Sequence, residues 1–332
     1  MGSVWGNNLK LALFGESHGE CVGVVIDGFP AGFKIDLEYI NKYLKRRAPG
    51  GKLKSSRQES DEAQILSGVK NNFTTGAPIC AVIKNNDARP ADYQEELVNP
   101  RPSHADYGAY IKYNNFADYR GGGHFSGRLT APLVFAGALC ADYLEREYDI
   151  KIAARIKKVG HLNECKADEL YEFIEQVQAA GDSVGAVVEC VILNVPAGLG
   201  EHMFASAEAF ISSAVFGIPG VKGIEFGAGF SFAEMRGSEA NDEFYYDNNG
   251  RVRTKTNNNG GILGGMTSGM PIIFSVAFKP TPSILIEQDT IDLREGTNIK
   301  FKIEGRHDAC IALRAVPAVE SAAAVAIMQI IK

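Results

Sequence analysis

No uninterrupted apolar run in this 332-residue chain reaches the ~18 residues that a membrane span needs. The segment from Met1 to Leu13 has no basic patch followed by an apolar stretch, so no secretory leader is expected either. Together these absences predict a soluble, cytoplasmic protein with no membrane partner. Gly2 follows Met1, but Gly6 stands where a myristoylation motif requires Ser or Thr. Basic charge is not in excess: 34 Lys and Arg against 40 Asp and Glu leave a net charge of −6. That balance excludes a general grip on nucleic acid, which needs a basic face to displace counterions. Cysteine is scarce. The six thiols form no C-x-x-C pair and fall mostly in apolar runs such as Ala138 to Ala141, which reads as reduced and buried. There is no H-E-x-x-H and no clustering of Cys with His, so no metal is expected. The G-x-S-x-G elbow of serine hydrolases is missing too.

What the chain does have is core-forming material: 45% of its residues are hydrophobic and 22% charged, enough for one large domain or two. Cys21 to Ile26 reads as a strand, Gly28-Phe29-Pro30-Ala31-Gly32 as a turn, and a helix is predicted from Asp36, with Leu37, Ile40, Tyr43 and Leu44 on one face. The second half repeats the plan, with Ala186 to Val195 as a strand, Pro196-Ala197-Gly198 as the turn and helical spacing from Ala205 to Phe216. Thr75-Gly76-Ala77-Pro78-Ile79 and Ser268-Gly269-Met270-Pro271-Ile272 each open an apolar run. Thr130 to Glu147 and Val316 to Ile331 read as helices with a proline near the start, where a missing N–H does least harm. Three matches in one order suggest an internal duplication; chance recurrence of common turns is the alternative. The expected class is α+β, two packed sheets with helices outside and a site between the halves. Pro49 to Asp61, Asn85 to Tyr107, Tyr119 to Gly127 and Glu234 to Gly265 read as long irregular loops, which more often carry function than not.

Chemistry-bearing residues fall in five clusters. Gly15-Glu16-Ser17-His18-Gly19-Glu20 frames a histidine with glycine, which lets the backbone bring it close to a ligand; a core histidine has bulkier neighbours. In Arg101-Pro102-Ser103-His104-Ala105-Asp106-Tyr107, Asp106 either orients the imidazole or caps a helix. Asp118-Tyr119-Arg120-Gly121-Gly122-Gly123-His124-Phe125-Ser126-Gly127-Arg128 leads into a helix, as a phosphate cradle or as a linker. It has neither G-x-G-x-x-G spacing nor the Gly-Lys-Ser/Thr of a P-loop. Asn257 to Gly265, with Lys279-Pro280-Thr281-Pro282-Ser283 further on, suits either a flat polar ring or tight backbone packing. Gly305-Arg306-His307-Asp308, with Arg314, is either a charged site or a structural ion pair. Basic residues also gather at Lys42, Lys45, Arg46, Arg47, Lys52, Lys54 and Arg57, answering a helix dipole or an anion. From residues alone, the reading ends at an enzyme acting on a small phosphorylated anion.

Six segments resemble the signatures of the chorismate synthase family, in family order and over nearly the whole chain: Gly15 to Gly19, Arg46-Arg47-Ala48-Pro49-Gly50, Arg101 to Tyr107, Tyr119 to Gly123, Gly260 to Gly265 and Gly305 to Asp308. The resemblance implies a single domain spanning residues 1–332, two back-to-back antiparallel sheets flanked by helices in a β-α-β sandwich, with two intertwined repeats at about 1–150 and 180–332. It implies a homotetramer. It also implies a lyase that carries out the 1,4-anti elimination of phosphate from 5-enolpyruvylshikimate 3-phosphate, the last step of the shikimate pathway. The reaction needs reduced FMN but gives no net redox change, with NADPH as an electron source. By the same resemblance His18 protonates the departing phosphate, His104 protonates the reduced flavin, and Asp308, Ser17 and Ser126 form a relay that removes a proton by way of the flavin. Flavin contacts are implied for His124, Phe125, Ser126, Pro219, Gly220, Gly264, Lys279, Pro280, Thr281, Pro282, Ser283 and Arg306, and phosphate contacts of substrate or NADP for Arg47 and Arg128. The chain departs from the pattern at His124 and Phe125, where many members carry Arg and a second Ser. It departs again in the Lys52 to Arg57 loop and in ending at Lys332, where many relatives run on. No additional nucleotide-binding module is visible, so flavin reduced by an external supply is expected.

Overall fold

The computed structural model describes residues 2–48, 61–86, 97–164, 166–303 and 307–331. The strand Ala186–Leu193 buries every second side chain: Ala186, Val188, Cys190 and Ile192 point inward while Val187, Glu189 and Val191 stay partly exposed. One antiparallel sheet of five strands runs in the spatial order Val4–Trp5, Lys10–Gly15, Cys21–Asp27, Ile79–Lys84, Ala63–Ser67. A second, also of five, runs Val221–Phe226, Ile272–Phe278, Ala186–Leu193, Lys151–Val159, Leu162–Asn163. The protein is thus mixed α/β with several sheets.

Turns that look alike in sequence are bonded alike. Gly32 N–H donates to the Thr74 carbonyl at 2.8 Å and Gly198 N–H to the Thr267 carbonyl at 2.8 Å. The Thr74 hydroxyl donates to the Pro30 carbonyl at 2.6 Å, as the Thr267 hydroxyl does to that of Pro196 at 2.5 Å. Both glycines take left-handed φ, +82° and +87°, which explains why glycine recurs there.

Seven helices complete the described residues: α1 Leu37–Arg47, α2 Asp106–Lys112, α3 Thr130–Tyr148, α4 Ala167–Ala179, α5 Ala207–Val215, α6 Gly237–Ala240 and α7 Ala312–Ile330. Asp36 caps α1 by accepting from Tyr39 N–H at 3.0 Å, as expected. Ile40 and Leu44 face inward, but Leu37 overhangs the helix start and is 48% exposed, while Arg47 is buried in its place. Helix α7 starts earlier than its periodicity suggested, so Pro317 lies inside it and not in its first turn. The stretch from Glu234 to Gly265, read as irregular, holds α6 and the hairpin Phe244–Tyr246/Val252–Thr254. The five described cysteines are free, with Cys140, Cys190 and Cys310 buried and Cys21 and Cys80 half-buried; Cys165 lies outside the described residues.

The expectation of helices outside packed sheets fails. Helices α3 and α7 pack on each other; α3 lies against Lys10–Gly15, Cys21–Asp27 and Ile79–Lys84 of the first sheet, and α7 against Lys151–Val159 and Ala186–Leu193 of the second. Both are apolar nearly all round, and such helices are stable only with protein on every side. Among the described residues α7 is the one helix with the length and apolarity of a membrane span, but 83% of that span is buried inside the protein. Small residues allow the helix backbones to approach closely: a Cβ added at Gly137 of α3 would stand 2.1 Å from Ser321 Cβ and 2.3 Å from Ser321 Cα on α7. Gly137→Ala therefore has to push two backbones apart, and a loss of about 1–3 kcal/mol is expected in chemical denaturation. An unchanged midpoint would mean that the α3–α7 crossing is not close-packed.

Candidate active site

The glycine triplet after Arg120 is the centre of the site. Gly121, Gly122 and Gly123 all have positive φ, at 57°, 88° and 52°, a run that residues with a Cβ rarely adopt. A Cβ on Gly121 would lie 2.3 Å from His18 Cδ2 and 2.5 Å from Nε2, with Ser17 Oγ at 3.2 Å. On Gly122 it would lie 3.3 Å from His104 Nε2. Adjacent glycines thus each abut one of the two histidines singled out in sequence, so His18 and His104 flank one stretch of backbone. Ser17 N–H donates to the Gly123 carbonyl at 3.1 Å, tying the His18 loop to the triplet.

The His104 loop carries its own ion pair. Arg101 clamps Asp106 through Nε to Oδ2 at 2.7 Å and Nη2 to Oδ1 at 2.8 Å, and Asp106 Oδ1 is 2.6 Å from His104 Nδ1. Asp106 opens α2 but makes no side-chain cap, which leaves orientation of the imidazole, of the two roles read from sequence. Burial works to raise its carboxyl, yet hydrogen bonds and charge from Arg101 and His104 outweigh that and hold it well below the usual carboxylate range. Asp118 is likewise held down, first by the Arg120 side chain, which forks onto it at 2.9 and 2.7 Å.

Behind the triplet lies a buried ionic layer. Asp61, 1% exposed, receives Arg47 Nε at 2.8 Å on one oxygen and Arg128 Nη1 on the other. Arg47 also reaches Thr130 Oγ1 at 3.2 Å; Arg128 donates to Asn85 Oδ1 at 2.9 Å and to the Lys84 carbonyl at 3.1 Å. Burial lowers the Arg47 guanidinium and opposes ionisation of Asp61; the attraction of the two arginines overrides this for Asp61 and leaves it below its ordinary value. Sequence analysis assigned Arg47 and Arg128 to a phosphate from outside. The structure turns both onto Asp61, at 1% and 4% exposure, so an outside anion must compete with that carboxylate. Asn85 pins the His18 loop to the same layer, donating to the carbonyls of Glu16 and Gly19, each at 2.9 Å.

The second half contributes Asp308, whose carboxylate accepts from Arg314 Nη1 at 2.8 Å, while Arg314 Nε donates to the Arg47 carbonyl at 3.1 Å. Thr281 Oγ1 donates to the Asp308 carbonyl at 2.8 Å, and Lys279 N–H to the Gly220 carbonyl at 2.9 Å. Lys279 Nζ donates to the Ser103 carbonyl beside His104. Lys279, Thr281 and Gly220, with their neighbours Pro219, Pro280, Pro282 and Ser283, therefore adjoin the histidine loop and Asp308. His124 and Phe125 lie with ring centres 4.1 Å apart in a tilted pair beside Tyr113. Ser126 Oγ accepts from Arg128 N–H at 3.3 Å. Gly264 occupies the tight turn between Ile262–Leu263 and Met266–Thr267, and its neighbour Gly265 packs on Glu201 and Ser206. Pro49, Gly50, Gly51, Lys52, Lys54, Arg57, Gly305 and Arg306 lie outside the described residues. Arg46 serves α7, forking onto buried Glu320 at 2.7 and 2.9 Å.

Asp61 and Asn85 were not singled out in sequence as site residues. Asp61 and Asn85 end and begin two of the long loops, a boundary position that is their one sequence signal. Two surface cavities, of about 470 Å³ around Asp36 and Arg146 and about 170 Å³ around Tyr143 and Met328, are lined by none of the site residues above.

Paired imidazoles on a glycine backbone, backed by guanidinium–carboxylate pairs, define an enzyme of acid–base chemistry on a small anion. A sequence model described as chorismate synthase matches residues 9–331. The chorismate synthase of Thermococcus gammatolerans is 47% identical over 336 residues, 95% of this chain and 94% of the relative. That of Chitinophaga pinensis is 47% identical over 323 residues, 97% and 94% of the two chains. A solved structure titled "Crystal Structure of Chorismate Synthase" superposes with a TM-score of 0.77 at 28% identity, covering 98% of this chain and 92% of that one. The chain belongs to the chorismate synthase family, carbon–oxygen lyases acting on phosphates whose reaction depends on a reduced flavin.

Asp61 is the residue on which the ionic layer turns. Asp61→Asn leaves two buried guanidiniums short of a counter-charge and is expected to cost about 3–5 kcal/mol in denaturant unfolding. Because the folded carboxyl lies below its ordinary value, its stabilisation is complete above about pH 4 and is lost as pH falls through the folded value. The variant should accordingly show a flatter acid limb. A loss under about 1 kcal/mol, as for an exposed pair, would contradict the burial argument.

Proposed function

We propose that the chain catalyses the 1,4-anti elimination of phosphate from 5-enolpyruvylshikimate 3-phosphate to give chorismate, the last step of the shikimate pathway, with reduced FMN present and no net redox change. The observation that carries this reading is the abutment of Gly121 on His18 and of Gly122 on His104, which brings two groups able to hold or release a proton near neutrality to one backbone. His18 gives a proton to the departing phosphate oxygen as the carbon–oxygen bond breaks. His104 supplies a proton at the flavin ring. Asp308, Ser17 and Ser126 take up and pass on the proton lost from the cyclohexene carbon. A well-placed acid or base is worth roughly 10² to 10⁴ in rate.

The residues present fit a reduced flavin. Tyr119 Oη, at the head of the glycine triplet, is buried with no hydrogen-bond partner among the described residues, and Lys279, Thr281 and Ser283 offer an ammonium and hydroxyls beside the His104 loop. His124, Phe125, Ser126, Pro219, Gly220, Gly264, Lys279 to Ser283 and Arg306 would hold FMN, which when bound supplies electron density to the substrate ring. Arg47 and Arg128 hold a phosphate of substrate or NADPH once Asp61 yields them, and charge developing on the leaving phosphate is where such cations act. NADPH is the electron source for flavin reduced elsewhere. We further propose a cytoplasmic homotetramer and one domain over residues 1–332, a β-α-β sandwich of two intertwined repeats. The matched strand orders and the paired Gly32–Thr74 and Gly198–Thr267 turns support the repeats.

The test is anaerobic incubation with reduced FMN and substrate, following chorismate, phosphate and flavin redox state. Equimolar chorismate and phosphate with the flavin still reduced are expected; stoichiometric flavin oxidation without chorismate would indicate an oxidoreductase instead. His18→Ala and His104→Ala should each cut turnover more than about tenfold while FMN still binds. Unchanged rates in both would overturn the roles given to the two histidines.

A further inference from the structure

We propose that Asp106 is a positioning residue for the elimination: held by Arg101, it keeps the proton of neutral His104 on Nδ1 and so makes Nε2 the nitrogen that meets the reactants. The proposal rests on the role given to His104 above, and its test separates the two.

His104 Nδ1 has two neighbours with opposite demands. Arg101 Nη2, at 3.0 Å, can only donate; Asp106 Oδ1, at 2.6 Å, can only accept while ionised. One nitrogen cannot satisfy both. The carboxylate contact is the shorter, within the range of charge-assisted bonds. The guanidinium does not need the imidazole, because Asp106 already takes its Nη2 at 2.8 Å and its Nε at 2.7 Å. Arg101 N–H adds a further bond to Asp106 Oδ2 at 3.0 Å, so three donors from one residue fix the carboxylate before the histidine is counted. Asp106 is 3% exposed and stays an acceptor at neutral pH, since Arg101 and His104 keep it ionised against burial. The Nδ1 proton therefore belongs to the Asp106 contact.

Nε2 then lies on the side of Gly122, where a Cβ would stand 3.3 Å from it and 3.4 Å from Cε1, so a glycine at that position spares this edge of the ring a side-chain contact. A proton enters and leaves His104 at Nε2 while the Nδ1 proton stays with the Asp106 contact. An Asn at 106 would be a different partner, because its amide can donate to Nδ1 as well as accept from it, and donation moves the ring proton to Nε2.

The experiment is nitrogen NMR of the full-length protein labelled in its histidine rings, with His104 assigned by its loss in His104→Ala. In the wild type the neutral ring should give a pyrrole-type shift at Nδ1 and a pyridine-type shift at Nε2; the reverse pattern overturns the proposal without any variant having to fold. Asp106→Asn should redistribute the two tautomers and lower kcat about 10- to 100-fold, with substrate KM and FMN affinity within about threefold of wild type. A folded Asp106→Asn with wild-type kcat and wild-type ring shifts would also overturn it. Wild-type turnover in His104→Ala, by contrast, removes the catalytic role assigned to His104, while the spectrum still decides the tautomer.

Discussion

Two imidazoles from distant segments can share a site here only because the backbone between them has no side chains. The three glycines at 121 to 123 are required twice over. Their left-handed φ values would cost another residue roughly 1–2 kcal/mol each, and at Gly121 any Cβ would overlap the His18 ring at 2.3 Å. The same run carries the carbonyl of Gly123 that anchors Ser17. Conformation, packing and hydrogen bonding all depend on one short stretch of main chain.

The ionic layer behind the glycines does a different kind of positioning. Asp61 joins Arg47, at the end of α1, to Arg128, just before α3; Arg314 of α7 reaches the Arg47 carbonyl and the Asp308 carboxylate. Three core helices are thereby tied to one another and to Asp308. Buried pairs of this kind add little net stability, because desolvation offsets the attraction, but breaking one strands a charge. The layer therefore enforces one arrangement more than it strengthens the fold. It also sets the electrostatic terms for any ligand, since a phosphate entering near Arg47 or Arg128 exchanges one anion for another and need not bring the counter-charge for an empty cationic pocket.

How much of this could be read beforehand depended on whether a residue's neighbours in sequence are also its neighbours in space. His18, His104 and the glycine triplet were legible, because glycine next to histidine is a local signal. The cap at Asp36, the strand from Cys21 and the helix from Thr130 were legible for the same reason. Asp61 and Asn85 were not, since a single carboxylate or amide at a loop boundary gains meaning only from arginines far along the chain. The resemblance gave Arg47 a phosphate from outside, and periodicity cannot say that a cation at a helix end also turns inward onto a buried partner. Nor does periodicity separate an outer helix from a central one when nearly every position is apolar: α7 reads as a strong helix either way, and only the second sheet against its other side decides its place.

Which half of the chain owns the site is answered by the contacts of Lys279. It follows directly on Ile272–Phe278, a central strand of the second sheet, and its ammonium reaches the carbonyl of Ser103 in the His104 loop. Ser103 has φ of +58°, a conformation that a serine adopts only when its surroundings enforce it. The donor from the second half is thus one of the groups that hold the first half's histidine loop in shape. Asp308 and Arg314 act in the same sense, binding from the start of α7 back to α1. Neither half could assemble this geometry alone: the first brings both imidazoles and the glycines, and the second brings the ammonium and the carboxylate that close the ring of contacts around them. Separation of the halves would take Lys279 away from the His104 loop even if each sheet survived, and the close α3–α7 crossing at Gly137 and Ser321 opposes such separation.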